Sequence, residues 1–223
     1  MKRTLIQKSM MRSGTTVLRL ILNKLFNEYR CFKDWDYRYD ITPGKGAHTW
    51  EKISNKDSYL ITTWRDPRDV VISFIRLYED DFNNRNEPLI SVESRIKFIS
   101  RQWIIPTYWD IIQCENENEN KIVLKYENWH EDFDYLFNIL EKSFNGKINN
   151  EIRDLIKKEY SKESIKSIQS KYKDFHSWED GTHIHGNHVG NGLSTWESVW
   201  TPSQVELANT ELKHILNHWN NLQ

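Results

Sequence analysis

Three times along the chain, a short run of β-prone residues breaks at a polar turn and passes into a helix with one apolar face. Thr4 to Ile6 gives way to a Gly-containing turn and then to Thr16–Phe26, where Leu18, Ile21, Leu22 and Leu25 recur at helical spacing. Ser58–Trp64 ends at Arg65-Asp-Pro-Arg68, after which Val70, Val71, Phe74, Ile75 and Tyr78 share a helix face, and Pro67 suits a first helical turn. Lys121–Tyr126 precedes a helix with Phe133, Leu136, Phe137 and Leu140 on one side. Strands alternating with helices predict an α/β protein whose central parallel sheet is covered on both faces.

With 223 residues, 38% of them hydrophobic and 13% aromatic, the chain has enough apolar surface for one sizeable core. No linker or internal repeat divides it, so residues 1–223 are read as a single domain. The polar run Glu115–Asn120 is expected to form a solvated turn, and residues 149–172 one or two surface helices. Residues 174–196 lose periodicity and carry Gly181, Gly186, Gly190 and Gly192 with four histidines, the pattern of a long functional loop. Thr201-Pro-Ser-Gln204 is a capping box opening a final helix with Val205, Leu207, Leu212, Ile215, Leu216 and Trp219.

Charge narrows the partners. The 31 Lys and Arg nearly balance the 32 Asp and Glu, so no overall attraction to nucleic acid or an acidic membrane is expected and any anion binding must be local. The opening MKRTLIQKSMMRSG lacks the roughly 7–15-residue apolar core of a secretory leader, which makes a cytoplasmic location the default expectation. Cys31 and Cys114 are isolated and are read as reduced thiols.

Ser9-Met-Met-Arg-Ser-Gly-Thr-Thr16 lies between the first strand and the first helix, where free N–H groups and the positive end of the helix dipole favour a phosphate. The GxxxxGK[ST] spacing of a nucleoside-triphosphate loop is absent, and Arg12 supplies the cation, whose planar fork can hold a sulfonyl or phosphate oxygen without magnesium. The competing structural explanation is that Ser13 and Thr15 cap the helix while Gly14 makes the turn. Trp64-Arg-Asp-Pro-Arg-Asp-Val-Val-Ile-Ser73 again places arginines and a hydroxyl at a strand's carboxyl end, where open α/β sheets bind ligands. Here the competing explanation is that Arg65, Asp66, Arg68 and Asp69 pair among themselves. Two such anion sites on successive crossovers suit a ligand with two phosphate-like groups.

Together, RSGTT in the first loop and TTWRDPRDVVISF in the second resemble the sulfotransferases that use 3′-phosphoadenosine 5′-phosphosulfate (PAPS) as donor. Tyr126-Glu127 resembles that family's Tyr-Glu-Asp element, and Gly190-Asn-Gly-Leu-Ser-Thr-Trp196 with Trp200-Thr201 its late glycine loop. The resemblance implies a single-domain, P-loop-like three-layer fold. It implies that Arg12, Ser13, Gly14, Thr15 and Thr16 hold the 5′-phosphosulfate, Arg65 and Ser73 the 3′-phosphate, and that Tyr126 approaches the adenine. Gly190 and Gly192 would lie in the loop that closes over the donor, and the product would be 3′-phosphoadenosine 5′-phosphate (PAP). His48, in Lys45-Gly-Ala-His48, occupies the interval in which the family places its base, and a neutral imidazole can take the proton of an attacking hydroxyl or amine.

The chain departs from the family's pattern at several points: Met11 replaces a frequent Pro, Val17 a frequent Trp, and Gly46 a frequent Lys. The late loop offers His183, His185, Asn187 and His188 in place of Arg-Lys-Gly. The His-x-His and His-x-x-His spacings could serve a metal, but no Cys or carboxylate pair completes a ligand set, and none is assigned. Trp35, Tyr37, Tyr39, Trp50, Trp103, Tyr108 and Trp109 suit either an acceptor pocket walled by rings or ordinary core packing. Acidic residues at Asp34, Asp36 and Asp40, and at Glu79–Asp81, would favour a cationic small-molecule acceptor if they line the pocket; a solvated rim is the alternative. Two rival functions are an ATP-dependent small-molecule kinase, which would need Mg²⁺, and a non-catalytic nucleotide-binding module.

Overall fold

The structure, a computed structural model, describes residues 3–10, 12–39, 58–79, 91–174, 176–186 and 195–222. Four strands, β1 (Arg3–Gln7), β2 (Trp35–Tyr39), β3 (Ser58–Trp64) and β4 (Lys121–Lys125), form a fully parallel sheet in the order β2-β1-β3-β4. From β1 the chain steps outward to β2, then returns across β1 to β3. The carboxyl ends of β1 and β3 therefore flank a topological switch point, the place where open α/β sheets leave a crevice. Both motifs singled out in the sequence leave the sheet there.

Each face of the sheet is covered, as the alternation of strands and helices predicts. One face packs Leu5, Ile61, Ile122 and Leu124 against helix α1 (Thr15–Leu22) and against Leu136, Phe137 and Leu140 of a later helix. The other packs Met10 and Trp64 against helix α2 (Pro67–Leu77), a long helical run over residues 92–117, and the C-terminal helices. This is the three-layer α/β arrangement expected from the sequence. Helix α1 continues into a π-helical segment, Asn23–Glu28, which carries Leu25 and Phe26 into the first core. The long run consists of α3 (Val92–Ile99), a π-helical segment Ser100–Ile104 and α4 (Ile105–Glu117). After β4 come the single turn α5 (Tyr126–Trp129), α6 (Phe133–Phe144), α7 (Asn150–Glu159) and α8 (Lys162–Gln169), so residues 149–172 form two helices. The chain then makes a turn α9 (Trp196–Val199), followed by α10 (Pro202–Glu211) and α11 (Lys213–Asn221). The capping box is present, with the Thr201 side chain accepting from Gln204 N–H and the Gln204 side chain accepting from Thr201 N–H. None of the described helices is long and apolar enough to cross a membrane.

One choice left open by the sequence is decided and one segment differs from its reading. Residues 35–39 form edge strand β2, and Trp35 and Tyr37 belong to the core, the packing explanation for those aromatics. The polar run at 115–120 is not simply a solvated turn, because α4 extends through Glu117 and buries Glu115. The Glu115 carboxylate accepts from Thr62 Oγ1 at 2.5 Å and Trp64 Nε1 at 2.8 Å, and Lys121 Nζ donates to the Glu115 carbonyl. Burial pushes this carboxyl above the usual range, and the two donors oppose that shift. The cluster ties α4 to the end of β3, directly before Arg65. Glu115→Ala should strip two buried donors of their acceptor and lower the unfolding free energy by about 1–3 kcal/mol. Urea denaturation reads that loss, and an unchanged midpoint would mean that the donors find other partners.

Candidate functional site

The loop after β1 keeps hydrogen bonding along β3: Lys8 N–H donates to Ile61 O at 2.9 Å and Met10 N–H to Thr63 O at 3.1 Å. It then folds around one acceptor. The Met10 carbonyl receives the Ser13 N–H at 3.3 Å, the Ser13 hydroxyl, and the Thr15 hydroxyl at 2.9 Å. Ser13 Oγ also lies 3.1 Å from Thr63 O. Both hydroxyls therefore shape the loop and do not cap α1. Gly14 stands at the N-cap, and no side chain caps the helix there. The positive end of α1, with Thr15 and Thr16 in its first turn, is left open to an anion.

Gly14 is required twice over. Its φ of +76° is in the left-handed region, and a Cβ would fall 2.8 Å from Trp129 Cζ2 and 2.8 Å from Tyr126 Cε2. Trp129 is held in turn, its Nε1 donating to Thr63 Oγ1 at 3.0 Å while that hydroxyl bonds Ser13 O at 3.2 Å. A floor of two aromatic rings thus fixes the loop's height above the sheet. Gln7 adds a strut, donating to Thr15 O at 3.1 Å and accepting from Tyr37 OH at 2.5 Å.

Arg12 also has a positive φ, 63°, a conformation costly for a residue with a Cβ and found mainly where the surroundings enforce it. Its Nε donates to Ser73 Oγ at 2.8 Å, joining the first motif to the second. Arg65 Nη1 approaches the Arg12 carbonyl at 3.4 Å, and the Arg65 guanidinium lies 4.9 Å from the centre of the Tyr126 ring. Arg12, Ser73, Arg65 and Tyr126 therefore meet above the switch point. Burial and then the nearby Arg65 charge bring the Arg12 pKa down to about 10, while burial raises that of Tyr126 to about 12. Two like charges thus lie near one another, and Arg65 has Asp69 at 3.7 Å.

The second motif divides its charges. Asp66 caps α2 and takes Arg68 through two bonds, Nε at 3.0 Å and Nη2 at 2.6 Å. It also accepts from Trp196 Nε1 at 3.1 Å, while Asp69 accepts from Trp196 N–H at 2.9 Å and the Arg68 guanidinium lies 3.7 Å from the Trp196 ring centre. Pairing within the run thus holds for both arginines, Arg68 with Asp66 and, at longer range, Arg65 with Asp69, and Arg68 also anchors the turn after the late loop. Arg65 is the member that also reaches the Arg12 carbonyl and the Tyr126 ring.

Two histidines outside the two motifs have lowered pKa values. His130 packs against Tyr126 with ring centres 4.3 Å apart and planes inclined by 35°, and lines a cavity of about 530 Å³ with Phe133, Tyr160, Ser161 and Lys162. Burial, then Arg65 and Lys162, lower its pKa to about 4. His185 is buried in the late loop, and burial and then Arg12 lower its pKa to about 4 as well. The spacing Tyr126-x-x-x-His130 on a helical turn was the available signal for the first; the second belongs to the late loop that the sequence reading set in place of Arg-Lys-Gly. His183 and Trp178 sit in the same segment as His185. Among the described residues, no three His, Cys, Asp or Glu side chains form a metal-ligating group. His48, Met11, Gly190, Gly192, Asn187 and His188 lie outside the described residues, as do Trp50 and Asp40. Asp36 is engaged by Arg30 at 2.7 Å.

No protein-family model and no curated protein sequence matches the chain. Solved structures do. The mouse sulfotransferase SULT7A1 complexed with PAP superposes with a TM-score of 0.63 at 15% identity, over 97% of this chain and 89% of that one. Retinol dehydratase in complex with androsterone and inactive cofactor PAP gives 0.66 at 14% identity, over 99% and 82%. A complex of retinol dehydratase with retinol and PAP gives 0.62 at 15%, over 100% and 84%. The chain has the fold of these PAP-bound proteins, as the motif resemblance implied.

Gly14→Ala should destabilise the protein by about 1–3 kcal/mol through the strained φ and the ring clash, seen as a lower thermal midpoint; an unchanged midpoint would mean that the loop rebuilds freely. The histidines set a pH dependence. Their folded-state pKa values lie below the unfolded value of about 6.5, so the unfolded chain binds more protons between pH 6.5 and about 4. Their contribution to stability is therefore full above pH 6.5 and is lost as pH falls toward 4. His130→Gln should flatten that part of the curve of thermal midpoint against pH, and a parallel curve would contradict it.

Proposed function

We propose that the chain is a PAPS-dependent sulfotransferase that transfers a sulfuryl group to a hydroxyl or amine of a small molecule. The observation that carries this reading is the 2.8 Å hydrogen bond from Arg12 to Ser73, which brings the two anion motifs into one site with Arg65 beside them. An open helix N-terminus and two arginines suit a ligand with two separated phosphate-like groups better than a single phosphate. The cavity of about 530 Å³ against His130, next to Tyr126, has room for a nucleobase.

In this reading Arg12 and the N–H groups of Thr15 and Thr16 hold the 5′-phosphosulfate, Arg65 and Ser73 the 3′-phosphate. The acceptor's oxygen or nitrogen attacks sulfur as the bond from sulfur to the phosphate oxygen breaks, and the electron pair stays on the departing phosphate. Arg12 faces the charge that grows there, and a fixed cation stabilises such charge more in the transition state than in the ground state. The acceptor's proton passes to His48, assigned from its place in the sequence. Gly190 and Gly192 belong to the loop that closes over the donor, and Trp196, held by Asp66 and Asp69, fixes where that loop ends.

Arg65→Ala should weaken binding of PAP by at least about tenfold, the scale of one lost charge-assisted hydrogen bond. Adenosine 5′-phosphate, which lacks the 3′-phosphate, should lose far less; equal losses would remove Arg65 from the 3′-phosphate. Arg12→Ala should lower kcat by about 10²–10³, and His48→Ala should abolish turnover while PAP still binds. Full turnover in either variant would overturn the role given to that residue.

A further inference from the structure

Asp69 is held from two sides. It stands in the first turn of α2, four residues after Arg65, the spacing at which side chains meet across one helical turn. Arg65 Nη2 lies 3.7 Å from Asp69 Oδ2, within ion-pair range but longer than a hydrogen bond. The other carboxylate oxygen, Oδ1, accepts the Trp196 N–H at 2.9 Å. Trp196 is itself fixed, its Nε1 donating to Asp66 at 3.1 Å and its ring centre lying 3.7 Å from the Arg68 guanidinium. The carboxylate is therefore held closely by the Trp196 backbone and loosely by Arg65. Both side chains are largely withdrawn from water, with exposures of 12% for Asp69 and 25% for Arg65. Burial raises the Asp69 pKa, opposed first by the Trp196 N–H and then by Arg65.

We propose that Asp69 is a positioning residue acting through Arg65, a built-in counter-anion that competes with the ligand's 3′-phosphate for the guanidinium and so limits how tightly a 3′-phosphorylated nucleotide is held. The proposal rests on the donor reading above, in which Arg65 takes the 3′-phosphate, and deepens it by naming the group that this phosphate displaces. A phosphate monoester carries about −1.5 to −2 charge at pH 7 and contacts a guanidinium in pairs of bonds of about 2.7–2.9 Å. A carboxylate standing off at 3.7 Å yields the guanidinium to it but stays in place, because its bond to the Trp196 N–H does not depend on Arg65. Its charge then faces the bound phosphate, and with little water between them the repulsion is screened less than at an open surface. The other groups around Arg65 do not take part in this exchange. They are the Arg12 carbonyl at 3.4 Å, the Tyr126 ring at 4.9 Å, and Glu127, whose carboxylate feels the Arg65 charge and accepts the Asp66 N–H at 3.2 Å. PAP keeps the donor's 3′-phosphate, so a residue that loosens the hold on that group also favours departure of the product, the slow step in many enzymes.

Calorimetric titration of the full chain with PAP and with adenosine 5′-phosphate, on wild type and on Asp69→Asn, tests the proposal. The amide keeps an oxygen for the Trp196 N–H and removes the charge, while Arg65 retains the Arg12 carbonyl and the Tyr126 ring. The variant should bind PAP about three- to tenfold more tightly, the scale of one partly screened charge pair, with the gain in a slower dissociation rate. Adenosine 5′-phosphate, which lacks the 3′-phosphate, should change far less. A gain confined to the 3′-phosphorylated ligand is a result that a merely structural role for Asp69 would not give, since loss of a structural contact weakens both ligands. Asp69→Ser, which also leaves an acceptor without charge, should show the same selective gain and serves if Asp69→Asn does not fold. Unchanged or weaker PAP binding in a folded variant, or an equal gain for both nucleotides, would overturn the proposal while leaving the donor reading intact. If wild type binds PAP no better than adenosine 5′-phosphate, the donor reading fails, and this proposal with it.

Discussion

The Met10 carbonyl and its three donors determine the shape of the loop on which the site depends. Because Ser13 and Thr15 turn their hydroxyls back onto that oxygen, the first turn of α1 is left without a side-chain cap. Gly14 then presses onto Tyr126 and Trp129, and Trp129 is bonded through Thr63 to the loop it supports. The strand ends, the loop and the turn after β4 thus form one closed set of contacts. Moving any one of them would shift Arg12, whose backbone has a positive φ.

Under the proposed reading, the charges around that frame suit an anionic ligand. Arg65 is close enough to lower the Arg12 pKa, and the acids of the second motif serve several partners: Asp66 holds Arg68, Asp69 lies 3.7 Å from Arg65, and both acids hold Trp196. An anion bound there would relieve the repulsion between the two arginines. Glu115, bonded to Thr62 and Trp64 just before Arg65, anchors the strand end from the opposite face of the sheet.

Much of this was legible in the sequence because it depends on local pattern. The three strand-to-helix units, the Pro67 start of α2 and the Thr201–Gln204 capping box follow from periodicity and cap chemistry, and each stands where expected. The pairing of RSGTT with WRDPRDVVIS pointed to two anion sites for one ligand, and the Arg12–Ser73 bond brings the two motifs together. What escaped depends on contacts distant in sequence. β2 reads as an aromatic cluster because an edge strand of five residues has too short an alternation to stand out. Glu115 lies in a run of Glu and Asn that composition marks as solvent, and only its neighbours across the sheet make it core. The partition of Arg65 from Arg68 could not be read either, since both lie in one charged run and the partner that separates them, Trp196, is 128 residues beyond Arg68.

The central claim is that this site takes a nucleotide carrying both a 5′-phosphate group and a 3′-phosphate. Calorimetric titration of the purified protein with PAP, with ATP plus Mg²⁺ as the comparison, tests it most directly. The account predicts saturable one-to-one binding of PAP and none of ATP with Mg²⁺. Binding of ATP alone, or of neither nucleotide, would contradict it.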